Sequence, residues 1–375
     1  MKVNDLLALV PNPPSRTIDW EALQNLIPAL KSLSECPQDP LHHAEGDVGT
    51  HTKMVCDAIV EFPAWEQGSY RDRFLVFAAA LLHDIGKPYK TRKEEDRTTS
   101  RGHSHKGESL SRIILWEMGV MFVDREQIAS LIRYHQMPFF LVDRHDSERL
   151  LFRISQTAQC HYLARLAEAD ARGRICSDQQ KLLDNIAFFV EYATEHGCLY
   201  VPRQFPSDHS RFQYFRSESR SPDYEVHDDT RLEVVLMSGL PGSGKDTWIS
   251  ESLPEWPVVC LDDLRRQMKI DPNEAQGRVI SKAREAAREH LRRGESFVWN
   301  ATNLSRQVRS ACISLFAAYN ARIRIVYVEA SPSTLYQRNS ARETPVPAAV
   351  ITRLMDRWEI PDLTEAHRVD YIVTS

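Results

Sequence analysis

The residues best suited to chemistry fall into two sets, one in each half of this 375-residue chain. His51, His83-Asp84, His103, His135 and Asp170 offer neutral imidazoles and carboxylates. Both side-chain types bind divalent transition metals, and a carboxylate can bridge two ions. A metal held that way acidifies water and clamps a phosphate oxygen. The second set is Gly239-Leu240-Pro241-Gly242-Ser243-Gly244-Lys245. Glycines at those positions let backbone N–H groups close on a β-phosphate, and the lysine reaches the β and γ oxygens. The first set suits removal of a phosphate and the second suits its transfer.

Asp262-Asp263-Leu264-Arg265 extends the second set, because an aspartate at the carboxyl end of a strand faces the ligand crevice of an open α/β sheet. There Asp262 can take a proton from an attacking hydroxyl, and Arg265 can hold a phosphate. Gln337-Arg338-Asn339-x-x-Arg342 places two arginines one helical turn apart, where they would share a face. One position departs from the usual loop. Asp246 stands where a Ser or Thr ligates Mg²⁺, with Thr247 following, and the third expected strand of this half ends in Asn300-Ala301-Thr302-Asn303 without an acid. Asp246 is therefore expected to supply the carboxylate near Mg²⁺.

The elements that must position these groups divide the chain in two. Apolar residues recur at helical spacing from 50 to about 200, with examples in Phe74–Leu82 and Leu110–Met118, and predict an all-α half. An amphipathic helix is expected near the start, from Asp19 or Trp20 to about Leu33. Residues 206–230 are polar, carry Ser221-Pro222-Asp223, and read as a linker. The arginines and aromatics at 203–220 suit either single-stranded RNA or packing between domains. Beyond 231, short apolar strands alternate with helices, with strands expected at Leu232–Met237, Val258–Leu261, Phe297–Asn300, Ile323–Val328 and Tyr371–Val373. That order predicts a parallel, doubly wound sheet. The domains are thus expected at 1–205 and 231–375.

Composition narrows the class further. The charge of −5 is mild and falls wholly in residues 1–230, so neither half announces nucleic acid by charge alone. Seven scattered cysteines, none in a Cys-x-x-Cys pair, argue for a reducing compartment. The opening Met1-Lys2-Val3-Asn4-Asp5 has an acid where a secretory segment would be apolar. The longest apolar run, Phe74–Leu82, is far too short to cross a membrane. A cytoplasmic protein without membrane contact is expected.

His43-Ala44-Glu45-Gly46-Asp47-Val48, His51-Thr52, Leu81-Leu82-His83-Asp84-Ile85-Gly86-Lys87-Pro88, Gly102-His103, Arg133-Tyr134-His135 and Ala167-Glu168-Ala169-Asp170 together resemble the HD-superfamily phosphohydrolases. They are especially similar to the HD domain attached to some bacterial tRNA nucleotidyltransferases. The resemblance implies metal ligands at His51, His83, Asp84 and Asp170, with His103 and His135 completing a second site for one or two divalent ions. Asp84 would carry the catalysis; His105 competes with His103, and Lys87 can meet substrate phosphate.

The second half resembles the 5′-polynucleotide kinases of phage and RNA-repair enzymes. This implies ATP or another NTP with Mg²⁺ on Gly239, Gly242, Ser243, Gly244, Lys245, Asp246 and Thr247. Asp262 would be the general base, Arg265 the acceptor-phosphate ligand, and Arg338 and Arg342 the lid arginines. Together the halves resemble the bifunctional HD-domain polynucleotide kinases of bacterial RNA end healing. That implies clearance of 2′,3′-cyclic or 2′-phosphate ends, 5′-OH phosphorylation, and a separate RNA ligase as partner. Two rivals stay open: a nucleotide phosphohydrolase fused to a small-molecule kinase, and an ATP-gated regulatory protein.

Overall fold

The computed structural model describes residues 2–95, 97–271, 274, 276–342 and 344–374. The chain folds as two compact units, residues 1–204 and 205–375.

The first unit is helical and built around Tyr70–Leu82, whose residues Phe74 to Leu82 are all buried. Ser69 caps its start reciprocally with Asp72, satisfying two orphan backbone donors. A helix apolar on every side belongs in a core, and here Val48–Val60, Phe122–Tyr134 and Cys160–Arg172 surround it. His83 and Asp84 follow directly where that central helix ends. Asp47 caps Val48–Val60 by accepting from the Thr50 N–H (2.8 Å), which fixes His51 one turn into the helix.

Three expectations change in this unit. The helix near the start runs only from Trp20 to Leu26 and continues as a 3₁₀ segment, Pro28–Glu35, because a proline has no N–H to extend an α-helix. A further helix, Lys2–Ala8, precedes it. Between Lys87 and His103 the chain forms an antiparallel hairpin of β1 (Arg92–Lys93) and β2 (Thr98–Thr99), too short to betray itself by alternation.

The second unit is an α/β fold with five parallel strands. They are β3 (Leu232–Ser238), β4 (Val258–Cys260), β5 (Phe297–Asn300), β6 (Ala321–Ala330) and β7 (Arg368–Thr374), in the order β4-β5-β3-β6-β7. Side chains alternate faces along a strand, so each face of the sheet has its own core. Val234, Leu236, Phe297, Trp299, Ile323 and Ile325 pack against one set of helices, while Val235, Met237, Val298, Val326 and Val328 pack with Ile249. The chain leaves β3 for the outer strand β4, returns through β5, then crosses to β6. The carboxyl end of β3 therefore lies at the switch point where open α/β sheets bind ligands.

The stretch expected as a linker is partly structured. Ser207 caps a helix, Asp208–Arg216, whose Phe212 (1% exposed) belongs to the core of the second unit. Arg211 donates to the carbonyls of Leu363 and His367, and Arg216 lies over the Phe212 ring. Phe212 and Tyr214 are both buried, so these two rings pack inside the second unit. Among the described residues, no helix is long and apolar enough to cross a membrane, and all seven cysteines are free.

Candidate functional site

In the first unit the six expected ligands meet in the core. His51, His83 and Asp170 form one cluster, and Asp84, His103 and His135 a second; within each cluster the candidate ligand atoms lie within 4.8 Å of one another. Asp84 joins them. Its Oδ2 is 3.2 Å from His83 Nε2 and 3.8 Å from His51 Nε2, while Oδ1 is 3.3 Å from His103 Nε2 and 3.9 Å from His135 Nε2.

Local structure aims each imidazole. The Nδ1–H groups of His83, His103 and His135 donate to the carbonyls of Ala80, Ser100 and Ile132, each at 2.8 Å and three residues back. His51 Nδ1 is held by the Gly173 carbonyl (3.1 Å) and Glu45 Oε1 (2.9 Å). With Nδ1 serving as donor in His83, His103 and His135, their Nε2 atoms are left as lone pairs facing one space, and His51 Nε2 joins them 3.1 Å from Asp170 Oδ1. His51 and His83 approach Nε2 to Nε2 at 3.3 Å, and His103 and His135 at 3.5 Å. Lone pairs that close repel unless a cation lies among them.

Charge states at His103 and His135 agree with that use, while His51 departs from it. Burial lowers His103, and it pushes His135 down to about 3 with His83 adding to the effect, so both stay neutral. Burial also opposes charge on His51, but its bonds to Asp170 and Glu45 outweigh this and raise it. Burial would raise Asp84, yet Lys87 and His83 hold it well below the usual carboxylate range. Asp170 is held down likewise by Arg174 and His51. Both oxygens of Asp84 are buried without a hydrogen bond of sound geometry, although Lys87 Nζ stands 2.7 Å from Oδ2. Two buried anions among inward-facing imidazoles fit divalent ions.

Sequence reasoning missed Arg174. Its guanidinium makes a two-pronged pair with Asp170 (2.9 and 2.8 Å) and lies 4.8 Å from the Phe139 ring centroid. The only signal was a cation four residues after an acid, beyond Gly173. Glu45, weighed as a loop-fixing residue, accepts from His43 Nδ1 (2.8 Å) and the Ile175 N–H (2.9 Å) as well as steadying His51. His105 points away to Glu108, leaving His103 in the cluster. A cavity of about 460 Å³ opens over the cluster, with His103, Lys87 and Arg174 in its wall.

In the second unit Gly239, Gly242 and Gly244 have φ of +150°, +82° and +106°. A Cβ on Gly239 would lie 2.3 Å from the Val328 carbonyl oxygen, so β6 leaves no room for a side chain there. Gly244 opens the helix Lys245–Ser252, which turns its free N–H groups to the loop. Ser243 Oγ is buried without a hydrogen-bond partner. Lys245 Nζ donates to the carbonyls of Gly239 (2.9 Å) and Leu240 (3.0 Å). Burial lowers Lys245 to about 8, with Asp246 and Asp262 resisting and Arg342 reinforcing the fall. These carboxylates and Arg342 therefore lie within electrostatic reach of the loop lysine.

Asp246 Oδ1 accepts from Asn300 Nδ2 at 2.6 Å, joining the loop helix to the end of β5; Thr247 is exposed beside it. Asn303 donates to the Met237 carbonyl (2.7 Å), and Thr302 accepts from the Gly239 N–H (3.0 Å). Asp262 and Arg265 sit on the short helix Leu261–Gln267 and pair with each other, while Arg265 Nε also donates to Gln276 (2.7 Å). Asp263 pairs with Arg266 on the outside instead of capping the helix. Arg338 Nη1 donates to the Ser243 carbonyl at 3.0 Å. Arg342 lies past the end of Pro332–Ser340, so the two arginines do not share one helical face as the spacing predicted.

Comparison with known proteins agrees with this division. Residues 48–172 match the family described as an HD domain, and residues 234–361 the family described as an AAA domain. The multifunctional CCA protein of Methylococcus capsulatus is 32% identical over 164 residues, 42% of this chain and 36% of that protein. The multifunctional CCA protein of Halorhodospira halophila is 34% identical over 114 residues, 30% and 25% of the two chains. The bifunctional polynucleotide phosphatase/kinase of Schizosaccharomyces pombe is 25% identical over 196 residues, 50% of this chain and 45% of that one. The matched stretch thus spans less than half the length of each of these relatives. The chain carries a helical HD domain followed by a P-loop domain of kinase type.

Proposed function

We propose that this protein processes both ends of a broken RNA strand. The HD site hydrolyses 2′,3′-cyclic and 2′-phosphate ends, and the P-loop site transfers the γ-phosphate of ATP or another NTP to a 5′-OH end. The observation that carries the reading is the placement of Asp262, paired with Arg265, within electrostatic reach of Lys245. A nucleotide switch needs no proton acceptor beside its lysine. A kinase does.

At the P-loop, backbone N–H groups and the helix start hold the phosphates. Lys245 exchanges its two carbonyl partners for β and γ oxygens, since an ammonium gains more from anions than from neutral acceptors. Arg338 and Arg342 add positive charge over the transferring group. Arg265 leaves Asp262 to bind a phosphate of the acceptor strand, and the freed Asp262 carboxylate takes the proton of the 5′-OH as it attacks in line. Mg²⁺ bound beside Asp246 and Thr247 would supply further charge neutralisation at the β and γ oxygens.

In the HD unit, His51, His83 and Asp170 would hold one divalent ion and His103 and His135 a second, with Asp84 between them. Those ions would supply Lewis acidity toward water and phosphate. Lys87 and Arg174 counter the charge of the incoming phosphate, and Glu45 keeps the His51 ring aimed. The free cysteines suit a reducing compartment, and we place the reaction in the cytoplasm, with a separate RNA ligase consuming both products.

The kinase assignment is tested by incubating a 5′-OH RNA with γ-labelled ATP and Mg²⁺. Wild type should label the 5′ end, and Asp262→Asn should lower that rate by about 10²-fold or more with ATP affinity unchanged. Label released to water alone, or passed only to free nucleosides, would refute a polynucleotide acceptor.

A further inference from the structure

The cavity over the HD cluster has a wall that the metal chemistry does not use. At about 460 Å³ it lies in the lower half of the range for small-ligand sites, roughly 300–1,000 Å³. That is room for one nucleotide, not for a paired strand. Lys87, His103 and Arg174 mark its phosphate side, while Gln136 and Phe140 line it elsewhere.

Phe140 is one of several large apolar residues left exposed, and it lines this cavity. It ends the short helix Met137–Phe140, which begins two residues after His135. Its neighbour Phe139 is fully buried beneath Arg174, but Phe140 is 48% exposed. Two supports fix it there. Asn185 Nδ2 holds the Phe139 carbonyl at 2.7 Å, and the Phe139 ring meets Phe140 edge-on at 6.0 Å. An exposed aromatic ring lining the cavity, five residues after His135, matches what a nucleobase needs.

We infer that Phe140 is the stacking platform for the base of the terminal nucleotide, and that the HD site selects strand ends because its cavity admits one nucleotide. This rests on the RNA-end reading of the HD site and adds the residue that recognises the base. Stacking on an aromatic tolerates any base, because every base has a π face. Selection would then fall on the end of a strand rather than on its sequence.

The test compares two RNAs ending in a 2′,3′-cyclic phosphate, one with a terminal adenosine and one with an abasic terminal ribose. Wild type is set beside Phe140→Ala, Phe140→Leu and Phe140→Trp, with hydrolysis of the abasic end as the folding control for the HD unit. Stacking is worth about 1–3 kcal/mol per base, so KM for the adenosine end should rise roughly 5- to 150-fold in the Ala and Leu variants. kcat and the abasic end should be unaffected, and Trp should restore KM.

Equal losses on both RNAs, or no loss on either, would overturn the inference while leaving RNA-end hydrolysis standing. If wild type ignores RNA ends but hydrolyses free nucleotides, the RNA-end reading falls. The same variants on a nucleotide and its abasic counterpart then judge Phe140. Hydrolysis of no phosphoester at this site would overturn both.

Discussion

A buried carboxylate is costly unless something charged meets it, and Asp84, with no hydrogen bond of sound geometry at either oxygen, has only Lys87 Nζ near Oδ2 (2.7 Å) among the described cations. Four Nε2 atoms converge around it and Asp170, a donor set that fits divalent ions. Asp84→Ala should therefore cut the divalent metal retained after dialysis, measured by elemental analysis, and abolish phosphoester hydrolysis. Unaltered metal content would contradict the bridging role. Arg174 gives a separate prediction. Removing it leaves Asp170 as a buried charge without its two-pronged partner, which costs about 3–5 kcal/mol. Arg174→Ala should lower the denaturant midpoint of the HD unit, and Arg174→Lys should recover part of the loss. The histidines and Asp170 were legible in the sequence because their types and order suit a metal. Arg174 was not, because an arginine after an acid on a helix usually lies in solvent.

Elements decide how rigidly these groups are held. The P-loop is tight because β6 runs directly behind it, so Gly239→Ala must move the Val328 carbonyl or abandon the loop's left-handed backbone. That variant should lose nucleotide binding, measured by calorimetry, while retaining hydrolysis at the HD site. Helix Asp208–Arg216 depends on a pair of buried histidines. His367 Nδ1 accepts from the Ile323 N–H (2.9 Å) and lies 3.0 Å, through Nε2, from His209 Nδ1. Burial, reinforced by Arg322 and His209, lowers His367 to about 3. The unfolded imidazole titrates near 6.5, so between the two values the unfolded state binds the extra proton and stability rises with pH. The docked helix should thus lose protection in hydrogen exchange, corrected for intrinsic rates, as pH falls from 7 to 5. Constant protection would show that His367 is not set this way. The sheet strands were readable as apolar runs, but this helix was hidden, since its buried Phe212 and Tyr214 sit among arginines and serines. The break at Pro28 could have been foreseen from the missing N–H alone.

At the scale of the whole molecule, two opposed phosphate chemistries share one chain. On a single metabolite they would cancel. On opposite ends of a broken strand they would cooperate, and the Asp262–Arg265 pair favours a polynucleotide acceptor. The unit boundary at 204/205 leaves the two His/Asp clusters wholly in the first unit and the P-loop, Asp262, Arg265, Arg338 and Arg342 wholly in the second. Loss of one site should therefore spare the other. The most direct measurement uses one RNA bearing both a 5′-OH and a 2′,3′-cyclic phosphate, with ATP, Mg²⁺ and a divalent transition metal. Both ends are followed for wild type, Lys245→Ala and Asp84→Ala. Wild type should convert both ends, Lys245→Ala only the 3′ side, and Asp84→Ala only the 5′ side. Joint loss of the two activities in either variant, or no conversion by wild type, would contradict the account.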